Sequence, residues 1–285
     1  MIKRGLLYRK TLNLAVTAAS ILTVGLALLF MGWILYTVFD NGFRSFSWAF
    51  FTEPTKPYGI PDGGVANAVL GTIFITLGAV VIGVPPGLLG GIYLAEFAKG
   101  NKLGHVIRFS ANVMMGIPSI IVGLFVYALM VYTTKNFSGL AGSVALSIIM
   151  FPVVLRTTED MLLMVPDALR ESALALGAPR WKATISIVCR AAKTGLMTGV
   201  LLAVARVSGE TAPLLFTALC SDGWPFGYFT QPTSNLTITI TEYATNSPFP
   251  EMHTRAWGAA LIITAAILIL NISCRFLFKD SKHGK

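Results

Sequence analysis

Six long apolar stretches, separated by polar intervals, set the pattern of this chain. They run about 11–38, 66–95, 107–133, 140–157, 194–219 and 257–278. A helix needs about 20 predominantly apolar residues to cross a bilayer core. The pattern therefore predicts an all-α polytopic membrane protein with six transmembrane helices. Pro85 and Pro86 interrupt the second stretch, and Gly116-Ile117-Pro118 interrupts the third. Each is expected to break its helix, as a tolerated kink or as a hinge. Gly83, Gly87 and Gly91 recur at the small-residue spacing that lets membrane helices approach closely. The first stretch follows Lys3, Arg4, Arg9 and Lys10, as a signal peptide would. Its apolar run far exceeds the roughly 7–15 residues of a secretory core, so it reads as a retained helix.

Composition agrees. Of the 285 residues, 54% are hydrophobic and 12% are charged, and the mean hydropathy is +0.70. A water-soluble globule of this size would need a surface built of apolar residues. A soluble enzyme, a disordered regulator and a nucleic-acid-binding module are thereby excluded. Cys189, Cys220 and Cys274 are widely spaced, and His105, His253 and His283 stand alone. No disulfide framework or metal site is expected.

The net charge of +9 acquires meaning from its distribution. With a cytoplasmic N-terminus, the inner side collects Lys3, Arg4, Arg9 and Lys10 before the first span and Lys99, Lys102 and Arg108 around the second loop. It gains Arg156, Arg170, Arg180, Lys182, Arg190 and Lys193 around the fourth loop, and Arg275, Lys279, Lys282 and Lys285 at the end. Arg44, Lys56, Lys135 and Arg255 alone fall outside. This asymmetry places both termini in the cytoplasm. Two outer loops are long, about 39–65 and 220–256. The second carries Trp224, Phe226, Tyr228 and Phe229, either an interfacial aromatic belt or a docking face for an external partner.

The longest inner segment, Thr158 to Lys193, is the most informative. Asp167 is expected to cap a helix over Ala168–Leu176, Gly177 to end it in the left-handed conformation, and Pro179 to restart a helix through Trp181 and Lys182. Leu169, Ala173 and Leu176 share one face of the first helix, with Arg170 and Glu171 turned away. On periodicity alone this elbow is equally an amphipathic helix lying on the bilayer.

The run Glu171-Ser172-Ala173-Leu174-Ala175-Leu176-Gly177, with Ile187 ten residues after the glycine, resembles the EAA loop of ABC-importer permeases. Ser172 stands where that motif usually has Ala, and Cys189-Arg190 where many members have Leu-Pro. The run Ala205-Arg206-Val207-Ser208-Gly209-Glu210-Thr211-Ala212-Pro213-Leu214-Leu215-Phe216-Thr217 is similar to the fifth-span signature of phosphate-specific importer permeases. It lies nearer the PstA type than the PstC type. Gly116-Ile117-Pro118-Ser119 and Glu96-Phe97-Ala98 are similar to the same group.

The resemblance covers about Asn67 to Phe278 and implies three regions. Residues 1–66 form an N-terminal transmembrane helix and outer loop, and residues 67–278 a permease core of five helices with the coupling loop 158–193. Residues 279–285 form a cytoplasmic tail. It also implies a transport subunit, not an enzyme, in a bacterial cytoplasmic membrane. Its partners would be a PstC-like second permease, a dimer of ATPase subunits and an external phosphate-binding protein, with lipid around it and no nucleic acid. ATP and magnesium would sit on the ATPase. The chain has no GxxxxGK[ST] to cradle nucleotide. Arg170, Glu171, Ser172, Ala173 and Gly177 would form the ATPase-coupling elbow.

Arg206 lies 12 residues into the fifth stretch, about 18 Å at 1.5 Å per residue, which is near the middle of the bilayer core. Glu210, one helical turn on, is placed to pair with it. The pair is either a structural clamp between helices or part of the substrate pathway. In the pathway, the Arg206 fork would take oxyanion oxygens while Glu210 kept binding from becoming too tight. Among rival readings, molybdate, sulfate or phosphonate are alternative substrates. A secondary anion carrier would need further intramembrane carboxylates, and Glu210 is the only candidate.

Overall fold

The computed structural model describes residues 5–57, 59–60 and 63–277. The expected tail 279–285, together with Lys3 and Arg4, lies outside these residues. Helices α1 (Leu6–Phe43), α2 (Trp48–Thr52), α3 (Ala66–Glu96), α4 (Lys102–Gly116), α5 (Ser119–Thr134) and α6 (Gly139–Leu163) form the first half. Helices α7 (Asp167–Ala175), α8 (Arg180–Ala191), α9 (Lys193–Ser208), α10 (Ala212–Thr217), α11 (Leu236–Thr241) and α12 (Pro250–Leu277) form the second. No strand occurs among the described residues.

Helices α1, α3, α6 and α12 are each long and apolar enough to span a membrane. Two further pairs pass the same test only if each is taken together, and both are bent: α4 and α5 meet at 100°, and α8 and α9 at 72°. The first bend has a clear cause. Pro118 forces Ile117 into an extended conformation (φ −74°, ψ 129°), so α4 stops at Gly116 and α5 starts anew at Ser119.

Three sequence expectations are corrected. Pro85 and Pro86 do not break the second span: α3 runs continuously through them. The missing N–H groups leave only the carbonyls of Val81 and Ile82 without helical donors, and buried Gly83, Val84 and Gly87 keep that turn packed on its inner face. The fifth span is not continuous over 194–219, because α9 ends at Ser208 and α10 begins at Ala212. The fourth inner loop starts later than Thr158, since α6 extends to Leu163.

The parallel pair α3 and α6 forms the centre, and the glycine spacing explains why. A Cβ on Gly83 would lie 3.0 Å from the Ser147 carbonyl oxygen, one on Gly87 2.9 Å from Val154 Cβ, and one on Gly91 2.5 Å from Thr158 Cβ. Ile75, Ala79, Leu146, Met150 and Val154 of this pair form one buried core with Ala203 and Val207 of α9, Leu214 of α10 and Ile238 of α11. By contrast, α1 is exposed along its apolar length. It touches the rest through its last turn, where a Cβ on Gly42 would lie 2.7 Å from Leu261 Cβ.

At the end opposite the elbow, the segment after α10 folds back into the helices. Tyr228, one of the four loop aromatics, turns inward, its hydroxyl 2.5 Å from that of Ser143, while Trp224, Phe226 and Phe229 stay exposed. Buried Asn67 ties three segments together. Its Oδ1 accepts from Thr55 N at 2.9 Å, and its Nδ2 donates to Thr55 Oγ1, Ser221 O and Gly223 O at 2.8, 3.1 and 3.2 Å. Helix α11, which the sequence reading left in a loop, enters the core, with Leu236, Thr237, Ile238 and Thr239 buried.

Candidate functional site

The elbow after α6 is built as its glycine predicted. Gly177 has φ +79°, the Gly177 N–H donates to Leu174 O at 2.9 Å, and the Ala178 N–H donates to Ala173 O at 3.2 Å. These two bonds close a Schellman turn, which satisfies the last carbonyls of α7. Pro179 then caps α8. Asp167 differs from expectation. It is the first residue of α7, its side chain caps no N–H, and its carboxylate instead accepts from Arg170 Nη1 at 3.1 Å.

Arg170 also differs, because it points inward. Its guanidinium donates to both carboxylate oxygens of Glu96 at the end of α3, at 2.7 to 3.2 Å. It donates further to Leu162 O at 2.7 Å and Val165 O at 2.5 Å. The side chains of Arg170 and Glu96 are only 12% and 9% exposed. Hydrogen bonding to Glu96 holds the Arg170 pKa above its usual value, against the opposing effect of burial. Helical periodicity located Arg170 on α7, but the position of the α3 terminus decides what that side meets. Arg170 therefore anchors the elbow to the bundle.

The outward surface of the elbow is carried by its neighbours. Glu171 and Ser172 are exposed, and Ser172 donates only to its own helix, at Ala168 O. Ala173 is buried, whereas Leu169, Leu174, Leu176 and Trp181 are exposed, so the expected apolar face is divided between bundle and solvent. A cavity of about 320 Å³ opens beside it, lined by Glu96, Lys99, Arg170, Leu174 and Arg180 among others. The elbow thus presents the acids Asp167 and Glu171, the cations Arg180 and Lys182 and several apolar side chains on a firmly seated support.

A second ionic group at the same end was missed by sequence reading. Glu159, its side chain 1% exposed, accepts from Arg108 Nε at 2.5 Å and Arg156 Nη1 at 2.7 Å, and Arg108 also donates to Leu94 O at 3.0 Å. The signal was the i, i+3 spacing of Arg156 and Glu159, which the charge count had used only for topology.

The other candidate lies at the break between α9 and α10. Arg206 occupies the last turn of α9, where a cation suits the carbonyl end of the helix. It is exposed, although its helix neighbours Ala203, Ala205 and Val207 are buried. The expected Arg206–Glu210 ion pair does not form. Because α9 ends at Ser208, the i, i+4 register fails, and neither side chain meets a hydrogen-bonding or ionic partner among the described residues. Glu210 is held instead by its backbone: its carbonyl accepts from Thr237 Oγ1 at 3.0 Å. Gly123 of α5 closes the far side of the break, where a Cβ would lie 2.6 Å from Pro213 Cα. No group of three or more potential metal ligands occurs among the described residues.

Comparison with known proteins gives a consistent picture. The profile of the family described as "Binding-protein-dependent transport system inner membrane component" matches residues 87–280. The chain is 44% identical to the phosphate transport system permease protein PstA of Yersinia pestis, over 97% of this chain and 93% of that protein. It is also 44% identical to the protein of the same name from Haemophilus influenzae, over 96% of each. With PstA 1 of Mycobacterium tuberculosis strain H37Rv it shares 35% identity over 95% of this chain and 89% of that one. Among solved structures, an inward-facing MetNI methionine ABC transporter aligns with a TM-score of 0.59 at 18% identity, over 75% of this chain and 92% of that one. At that identity the likeness speaks to the fold alone.

Proposed function

We propose, from the premise that this chain belongs to the binding-protein-dependent transport system inner membrane component family, that it is the transmembrane permease subunit of an ATP-driven importer of inorganic phosphate. The near full-length similarity to proteins named as phosphate permeases carries the substrate reading. The geometry supports a division of labour. The elbow is a docking part for an ATPase dimer, which binds ATP and magnesium. The break at Gly209–Thr211 borders the anion's path, which a second, PstC-like permease completes. An external phosphate-binding protein delivers the anion, and the assembly sits in a bacterial cytoplasmic membrane.

Arg206 supplies the chemistry. A guanidinium offers a planar fork of donors matched to oxyanion oxygens, and here no carboxylate among the described residues occupies it. A charge on a membrane-spanning helix is costly, and such residues mark pathways. Glu210, four residues on, lowers the local positive potential so that the anion is released as readily as it enters. Competition is the test. In proteoliposomes holding the assembled importer, excess phosphate is expected to suppress uptake of labelled phosphate, while sulfate and molybdate leave it unchanged. Equal suppression by sulfate or molybdate would remove the phosphate assignment.

A further inference from the structure

One buried donor has no use in the architecture described so far. Asn235 is 2% exposed, and its Nδ2 has no hydrogen-bond partner. The orientation of its amide is fixed. Oδ1 accepts from the Ile238 N–H at 2.8 Å, capping α11, and flipping the amide would set NH₂ against N–H. The free amide hydrogens therefore belong to Nδ2. A buried donor left without an acceptor costs stability, and such groups in native proteins call for a reason.

Close by stands the complementary group. The Glu210 carboxylate has no donor among the described residues, and a single hydroxyl links the backbone of Glu210 to the side chain of Asn235. Thr237 Oγ1 lies 3.0 Å from Glu210 O and 2.9 Å from Asn235 Oδ1. The backbone between α9 and α10 is unwound at Glu210, so this residue has freedom to turn that a helical residue lacks. The residue with the unfilled acceptor and the residue with the unfilled donor are thus linked, through the Glu210 carbonyl and Asn235 Oδ1, by one threonine beside the break.

We propose that Asn235 is a positioning residue for the anion step: its Nδ2 receives the Glu210 carboxylate in the part of the cycle when Arg206 takes the anion, holding that negative charge off the path. When the anion leaves, Glu210 is released. This inference rests on the reading of Arg206 and Glu210 as pathway residues and assigns Asn235 a role through Glu210 alone.

The test separates this role from capping. Aspartate caps a helix as well as asparagine does, so Asn235→Asp preserves the Oδ1 bond while replacing the donor with a second carboxylate. Uptake into proteoliposomes should fall by about tenfold to a hundredfold, as for loss of a hydrogen bond to a charged group. The loss should appear in the maximal rate more than in KM, with complex yield unchanged. Adding Glu210→Gln exchanges donor and acceptor at the same net charge, and the double variant should recover most of the lost rate. Asn235→Ser keeps an uncharged cap but loses the amide donor and its reach, and its rate should fall less than that of Asn235→Asp. Normal transport by either single variant would overturn the proposal, as would a double variant no better than Asn235→Asp. Arg206→Gln in the same vesicles reads the underlying assignment separately. If it abolishes uptake and the double variant shows no rescue, only the role of Asn235 falls.

Discussion

Removing Arg170 should unseat the elbow without touching its docking surface. In Arg170→Met the carboxylate of Glu96, 9% exposed, loses its counter-charge, and the carbonyls of Leu162 and Val165 lose their donors. Breaking a buried pair from one side costs about 3–5 kcal/mol, and the slight exposure of both partners favours the lower figure. At about 1.4 kcal/mol per tenfold, 3 kcal/mol shifts the balance between seated and loose elbow by on the order of a hundredfold. Affinity for the ATPase should weaken by up to that factor, because a binding-competent state populated less often binds more weakly. The assay is titration of the solubilised permease pair with the ATPase subunit, alongside ATP-driven uptake. Arg170→Lys should lie between wild type and Arg170→Met, since an ammonium keeps the charge and loses the fork. The exchange Glu96→Arg/Arg170→Glu should rescue poorly, because the new carboxylate would face the two carbonyls. Unchanged ATPase affinity and uptake in Arg170→Met would refute the anchoring role.

Further expectations follow from the same geometry. Glu171→Arg should weaken ATPase binding while leaving the elbow seated, as read by unchanged protease resistance of the segment, because the side chain is exposed and unpaired. Gly177→Val should cost about 1–2 kcal/mol through the left-handed φ of +79° and should likewise reduce co-purification of the ATPase. Gly91→Leu should abolish assembly, since even a Cβ there would lie 2.5 Å from Thr158 Cβ, and folded-complex yield on size exclusion measures it. A cysteine at Asn246 should react with a membrane-impermeant reagent from outside, and cysteines at Lys102 and Arg180 should not. Outside labelling at either of the latter two would reverse the topology.

The parts legible in sequence were those fixed by local chemistry. Apolar run length located α1, α3, α6 and α12, and the Gly83, Gly87 and Gly91 spacing pointed to a close helix contact. Gly177 set the elbow turn because few other residues tolerate its φ. What remained hidden depended on distant neighbours. Arg170 sits where helical periodicity puts it, yet its meaning comes from Glu96, 74 positions earlier in the chain. Leu236–Thr241 is too short for a span and lies among polar residues, so its entry into the core left no trace in hydropathy. The Arg206–Glu210 pairing rested on a helix continuing through Gly209, and Pro213 was the available warning, since it has no N–H to donate to Gly209 O and suits the first turn of a new helix. Nothing in the hydropathy or charge pattern singled out Asn235.

The account turns most directly on Arg206. The measurement is uptake of labelled phosphate into vesicles with ATP inside, comparing wild type, Arg206→Gln and Arg206→Gln/Glu210→Gln at equal complex yield. With no ion pair joining the two residues, neutralising Glu210 as well cannot restore a lost clamp. Both variants are therefore expected to assemble, bind the ATPase and fail to transport. Near-wild-type phosphate uptake by Arg206→Gln would contradict a direct contact between this guanidinium and the anion.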